Sequence, residues 1–428
     1  PPPATESGPG AVDRPGIFLP RRVWIPASVM LVVAAVTGFI WLGSFRRVDF
    51  RRNDLLLITE FENHTGEEVF DGVVSQALAY ELGQSPHVSL FSGRRLSDAL
   101  ERMERNRGEP IDGVLGREIA EREGLAVVLE GAISKIDNTY SIGARLVNPG
   151  TGETVITRSV QARDRQEVFP AIDRLARNIR KDLGESLLSI DRRDKPLARV
   201  TTGSLQALRF YTQAEAHLRQ ADWEKAATFY REAVAADSTF AIAWSKLGRI
   251  YFITARTRDA LDHSARAMEH RDRLSDREKF YIEAEYFRYR ADYDRAIEKF
   301  VLLLDEHRDD YDVRMNLATT YMLAGRFDAA LAELEAAAVM APDTWYMHFA
   351  LGNAYGGLGM YEEARDQFTR VLTNRPRQVR TLDNLSWLEV CAGDPAAGRA
   401  LQDSLRAVSD RPSVSTEYRL AKIHYYQG

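Results

Sequence analysis

The chain has 428 residues, is 45% hydrophobic, and sets 57 Lys and Arg against 62 Asp and Glu for a formal net charge of −5. That length allows two or three domains with packed cores, and the near-balanced charge gives no basis for a nucleic-acid ligand, which needs a concentrated basic patch. Cys391 is the one cysteine, which excludes an intrachain disulfide and leaves the compartment undecided.

Residues 1–20 hold six of the sixteen prolines and almost no aliphatic side chains. That composition cannot bury a core and predicts a disordered Pro-rich linker. Residues 21–47 follow as an apolar segment with Arg flanks. Its centre, Val23–Phe45, runs for 23 residues without a charge between Arg21-Arg22 and Arg46-Arg47. About 20 apolar residues span a bilayer's hydrocarbon core, so the segment predicts a single transmembrane helix. Trp24 and Trp41 stand near its ends, where indoles favour the interface. A cleaved signal peptide fits less well, because the run is long and no small-residue cleavage site follows. Three arginines before it and four after it give no orientation.

Residues 54–190 alternate strand and helix signals and predict a small α/β domain with an exit helix. Leu55–Thr59 and Val88–Phe91 have the short apolar runs of buried strands. Val69–Leu82 and Leu96–Met103 have helical spacing, and Ile119 and Ala120 belong to a third helix that Gly124 ends. Three strands then form a meander: Ala126–Ile136, Tyr140–Val147 and Thr154–Val160. Asp137-Asn138 and Asn148–Gly152 make its turns. Val168, Ile172, Leu175, Ile179 and Leu183 line one stripe of the exit helix. Residues 191–206, with Pro196 and Thr201–Ser204, are expected to form a linker.

Trp244, Leu247, Gly248 and Tyr251 spell W-x2-L-G-x2-Y, and the pattern returns at Leu317/Tyr321 and at Leu351-Gly352/Tyr355. Pro342 and Pro376 lie 34 residues apart. Ala226, Ala260, Ala296, Ala330 and Ala364 share one position, where two helices must approach closely. Signature and period are similar to those of tetratricopeptide repeats. Starts near 207, 241, 277, 311, 345, 379 and 413 make residues 207–428 an α-solenoid of six repeats and a truncated seventh. The repeat near 379 is degenerate, with Pro395 and Gly398 where an aromatic residue and an alanine are usual. The chain begins at Pro1 and stops after the helix-like run Glu417–Tyr426, so a fragment truncated at both ends is expected. The expected fold class is α/β plus all-α, with a single transmembrane helix.

Four stretches carry a further resemblance. VFDGVVSQALAYELGQSPHVSLFSGRRLSDALERM (Val69–Met103), AVVLEGAISKIDNTYSIGARLVNPGTGET (Ala126–Thr154) and LGESLLSI (Leu183–Ile190) with TTGSLQAL (Thr201–Leu208) resemble the C-terminal half of bacterial receptor-type serine/threonine protein kinases. The resemblance covers about residues 1–240. It implies a TolB/CsgG-like α/β domain, a kinase preceding this chain, and residues 46–428 outside the cytoplasm of a bacterial inner membrane. The kinase itself has no counterpart here.

No catalytic set assembles. His307-Arg308-Asp309 copies a kinase catalytic triplet, but Tyr311 and Arg314 stand where a lysine and an asparagine are needed. His270-Arg271-Asp272 fails in the same way. His263 and His270 can share a helix face, yet no carboxylate or cysteine completes a metal set. No cofactor is expected. By register, Tyr211, Arg249, Phe252, Tyr281, Glu285, Met315, Met322, Phe349, Asn353 and Trp387 face the concave groove. Such residues suit an extended peptide or a partner's helix, and equally suit packing between neighbouring helices. Asn316, Asn353 and Asn384 lack the lysines that would complete a carboxylate clamp. The expectation is a non-catalytic, membrane-anchored sensor or docking region that binds a protein or peptide, with a homodimer as the simplest signalling device. An envelope scaffold, or the sensor region of an adenylate cyclase or transcription regulator, are the alternatives.

Overall fold

The computed structural model describes residues 50, 54–193, 195–307, 310–341 and 344–408, all within one compact unit, Val48–Gly428. The sheet strands are β1 (Leu55–Ile58), β2 (Glu62–His64), β3 (Ser89–Leu90), β4 (Val127–Ile136), β5 (Thr139–Val147) and β6 (Thr154–Ala162). Helices α1 (Val73–Gly83), α2 (Gly93–Arg102), α3 (Gly113–Arg122) and α4 (Val168–Asp182) accompany them. The sheet order is β3-β1-β4-β5-β6, with β2 also paired to β4. Strand β1 is parallel to β3 and β4, and β2 is parallel to β4, whereas β4, β5 and β6 run antiparallel. Alternation along the strands builds two cores. Leu56, Val127 and Leu129 face α1 and α4; Leu57 and Val128 face α2 and α3.

Local chemistry moves some boundaries. The helix expected from Val69 begins at Val73, because Glu68–Phe70 forms a 3-10 turn and Gly72 has φ +66. A side chain rarely adopts that conformation. The linker expected over 191–206 is partly helical: α5 (Leu187–Arg193) and α6 (Leu197–Val200) occupy it, and Leu197 and Thr202 are fully buried. Packing, not propensity, orders these short helices. The Leu197 amide donates to Asp173 on α4 at 3.1 Å, and the Lys195 amide donates to Gln84 beyond α1 at 3.2 Å.

Six helical hairpins follow among the described residues. They are α7 (Leu205–Arg219) with α8 (Trp223–Ala236), α9 (Ala241–Ile253) with α10 (Thr257–Glu269), and α11 (Asp276–Tyr289) with α12 (Tyr293–Glu306). Next come α13 (Tyr311–Leu323) with α14 (Phe327–Ala338), α15 (Trp345–Gly357) with α16 (Tyr361–Asn374), and α17 (Val379–Cys391) with α18 (Pro395–Val408). The shared alanines 226, 260, 296, 330 and 364 have no exposed surface. In the last hairpin a Cβ on Gly398 would stand 2.8 Å from the Ser386 carbonyl oxygen, so helix approach there is too close even for alanine.

Two expectations need correction. The first is the transmembrane helix in the fold class. Val23–Phe45 lies outside the described residues, as do the 1–20 linker and the seventh repeat, and no helix among the described residues is long and apolar enough to cross a membrane. The supported class is an α/β domain plus an α-solenoid. The second is the separation of domain from array. One continuous core runs from Phe50 through Leu78, Ile172 and Tyr211 to Tyr289, so the α/β domain and the first repeats share an interior.

Candidate functional site

Successive first helices of the hairpins touch one another, α9 with α11, α13 with α15 and α15 with α17, and so line the inner face of the array. The α/β domain is seated on that face. At the near end, Tyr80 of α1 lies 5.9 Å from the Tyr211 ring of α7. A Cβ on Gly72 would stand 2.8 Å from Thr212. Arg209 of α7 pairs with Glu68 at 2.8 Å. Farther along, α2 reaches the fourth and fifth repeats. The Asp312 carboxylate of α13 lies 2.8 Å from where a Gly93 Cβ would be, at the N-terminus of α2, where the helix dipole favours an anion. Arg95 lies over the Tyr311 ring at 4.9 Å and Arg94 over the Tyr346 ring at 4.1 Å. Glu101 pairs with Arg375, whose guanidinium also covers Trp345 at 4.6 Å.

A cleft of 770 Å3 remains between these parts, at the carboxyl ends of β1 and β3. Thr59, Ser92, Thr212, Lys246, Arg277 and Asp310 are among its walls. Four of its charges form two ion pairs: Lys246 with Glu215 at 2.9 Å, and Arg277 with Asp310 at 2.6 Å. Burial alone would raise Glu215, but Lys246 and the Tyr230 and Tyr211 hydroxyls outweigh it and bring its pKa down to about 2. Burial, with Glu215 alongside, pushes Tyr80, Tyr211 and Tyr230 well above the ordinary phenol range.

The ten residues assigned to the groove from the sequence do different things. Tyr211 is 1% exposed and is enclosed by Tyr80, Tyr230 and Phe240. Glu285, also 1% exposed, accepts from Ser245 at 2.8 Å and from Arg288 at 3.3 Å. Met315 and Phe349 are buried in the cores of the fourth and fifth repeats. These four are therefore corrected from groove contacts to interior packing. Phe252 stacks on Tyr289 at 4.6 Å. The Tyr281 hydroxyl accepts from Arg249 at 3.5 Å and from Asn316 at 3.3 Å. Met322 closes the edge of the Met315 cluster. Asn353 accepts from Asn384 at 2.7 Å, linking α15 to α17, and Trp387 lies half-buried on α17.

Sequence reasoning missed Arg94, Arg95, Asp312, Tyr346 and Arg375. The available signal was two adjacent arginines opening an amphipathic helix. His263 is held between Trp244 and Tyr251 with its Nδ1 at 2.7 Å from the Asp259 carbonyl. His307 ends α12, while Arg308 and Asp309 lie outside the described residues. No group of three or more His, Cys, Asp or Glu gathers around one point among the described residues. What the inner face offers is hydrogen bonds, carboxylates and aromatic faces, which is recognition chemistry.

Tetratricopeptide repeat family models match residues 211–271, 289–348 and 346–378. The array is built of tetratricopeptide repeats. No curated protein matches the chain. Among solved structures it is similar to the APC/C hetero-tetramer Cut9-Hcn1, at 14% identity over 51% of this chain and 43% of that one, with a TM-score of 0.41. The chain thus spans less than half of that structure's length. A tetratricopeptide repeat protein from Parabacteroides merdae is 13% identical over 52% of this chain and 88% of its own, with a TM-score of 0.37. YrrB, described as a tetratricopeptide repeat protein with an unusual peptide-binding site, is 17% identical over 50% and 91% of the two chains, with a TM-score of 0.26.

Proposed function

We propose that this chain is a non-catalytic docking module whose repeats take a protein or peptide segment along their inner face. The observation that carries this reading is the seating of α2, a polypeptide segment already held across the fourth and fifth repeats by charged and aromatic side chains. The Asn353–Asn384 pair and Trp387 lie farther along the same face and extend the surface open to a partner. The test is binding of a random peptide library to the 428-residue chain and to its Asn353→Ala/Asn384→Ala variant. The variant should remain folded and lose affinity about tenfold, as for a lost pair of hydrogen bonds. Equal binding by both proteins would remove the groove from the reading.

A finer reading rests on the resemblance of Val69–Met103 and Ala126–Thr154 to receptor-type kinases. We propose that the module acts outside the cytoplasm and regulates a serine/threonine kinase joined to its N-terminus. A reporter fused after residue 60 that proves cytoplasmic rejects the placement. Kinase activity of a longer chain that ignores groove variants rejects the regulation.

A further inference from the structure

Three arginine–aromatic contacts mark one stretch of the inner face. Arg95 covers Tyr311 at 4.9 Å, Arg94 covers Tyr346 at 4.1 Å and Arg375 covers Trp345 at 4.6 Å. Tyr311 and Trp345 are 34 positions apart and hold the same place in successive repeats. Trp345 is covered by Arg375 of the array itself, whereas adjacent side chains on α2, which point about 100° apart, reach Tyr311 in the fourth repeat and Tyr346 in the fifth. Planar guanidinium groups stack on such faces, whereas an ammonium group offers only a point charge. Asp312 adds a carboxylate beside the first residue of α2. The Arg94 guanidinium also lowers the pKa of the Tyr346 phenol.

This contact differs in kind from the near end. There Leu78 and Tyr211 belong to one continuous core. At the far end the α2 contacts are ion pairs and cation–aromatic contacts, while Leu96, Ala99 and Leu100 point into the core of the α/β domain itself. A solenoid repeat is held chiefly by its neighbours, so the fourth and fifth repeats can swing from α2 without opening either hydrophobic core. We propose that the inner face of these two repeats is an arginine-binding surface, that α2 occupies it as an internal ligand, and that a partner segment with two adjacent arginines takes its place. The proposal rests on the docking reading and names the chemistry of its partner. The tether holds Arg94 and Arg95 at an effective concentration of about millimolar, so a partner competes well only when this latch is weakened.

The test uses the 428-residue chain and a fluorescent peptide of the Ser92–Arg102 sequence, read by anisotropy. The Arg94→Ala/Arg95→Ala protein should bind that peptide at least about tenfold more tightly than the unaltered protein. Replacing Arg94 and Arg95 of the peptide by alanine should abolish binding, and replacing them by lysine should weaken it. Adding Tyr311→Leu and Tyr346→Leu to the protein should also remove binding. An alanine peptide that binds as well as the arginine peptide overturns the proposal, as does preference for an acidic peptide. If the double-alanine protein does not fold, hydrogen exchange of the unaltered chain decides. A saturating arginine peptide should deprotect α2 while the start of α15 stays covered by the peptide, and unchanged protection of α2 overturns the proposal. Arginine-independent peptides that bind at Asn353 and Asn384 would sink this inference and leave the docking reading standing. Failure of every peptide sinks both.

Discussion

At Gly352 two physical effects oppose each other. The residue lies within α15, where alanine would favour the helix by about 1 kcal/mol. A Cβ there would stand 2.6 Å from the Phe368 ring of α16, and Phe368 is itself 2% exposed and fixed by its surroundings. Overpacking costs about 1–3 kcal/mol and wins. Gly352→Ala should therefore lower stability by a net of up to about 2 kcal/mol, read as a lower melting temperature. A melting temperature that holds or rises would refute the steric reading. Glu215 supplies a pH-dependent term. Its pKa in the folded chain is about 2 against an ordinary 4.5. A carboxyl with a depressed folded value contributes fully above its unfolded pKa and loses that contribution as pH falls toward the folded one. The window is thus pH 4.5 down to about 2, and the loss is about 3 kcal/mol at most. Glu215→Gln should flatten the acid limb of a stability–pH curve in that window, and parallel curves would count against the assignment. The close-approach residues were legible because repetition displays them at one register. The partners of Glu215 were not, since Tyr230 and Lys246 come from two other helices.

Among the elements, α4 was the most legible. Its stripe, Val168 to Leu183, is buried throughout at the 3.6-residue period. The polar knot at its end was invisible in the sequence. Arg180 and Glu185 are both fully buried and joined at 2.8 Å, and Ser85 and Ser189 donate to the same carboxylate at 2.6 and 2.7 Å. Burial acts to raise the Glu185 pKa, but these donors prevail and it lies below the usual range. One carboxylate thereby ties α4 to the end of α1 and to α5. Glu185→Gln would remove a fully buried carboxylate partner from the Arg180 charge at a site closed to water, at a cost of about 3–5 kcal/mol. Arg180→Met with Glu185→Leu should recover most of that loss, because the burial of charge disappears with the charge. Urea midpoints of the three proteins check this, and a double variant as weak as the single one would show that the knot holds these helices by more than charge balance. The same dependence on tertiary contact explains why α5, α6 and the three-residue β2 were missed: each is too short to carry a period.

For the whole molecule, the 34-residue period was legible and the embrace of the α/β domain by the array was not. Arg94 and Tyr346 are 252 positions apart, and nothing in either segment's spacing announces the other. The consequence is that two apparent domains share one interior. Tyr211 sits at their junction, 1% exposed, with Tyr80 at 5.9 Å, Tyr230 at 5.3 Å and Phe240 at 5.2 Å. Truncating such a residue costs about 3–5 kcal/mol. Because the core it supports runs from Leu56 to Tyr289, Tyr211→Ala should weaken sheet and array together. Leu385 belongs instead to a separate cluster with Phe349, Ala364 and Phe368. Leu385→Ala, at about 2–5 kcal/mol, should loosen α15–α18 first and spare the sheet. Hydrogen exchange separates the two cases. In Tyr211→Ala the amides of β4 and α7 should lose protection by the same factor; in Leu385→Ala β4 should keep its protection while α17 loses it. If β4 stays protected in Tyr211→Ala while α7 exchanges freely, the α/β domain folds independently of the array. Seating α2 on the repeats would then be a contact between two separately stable bodies.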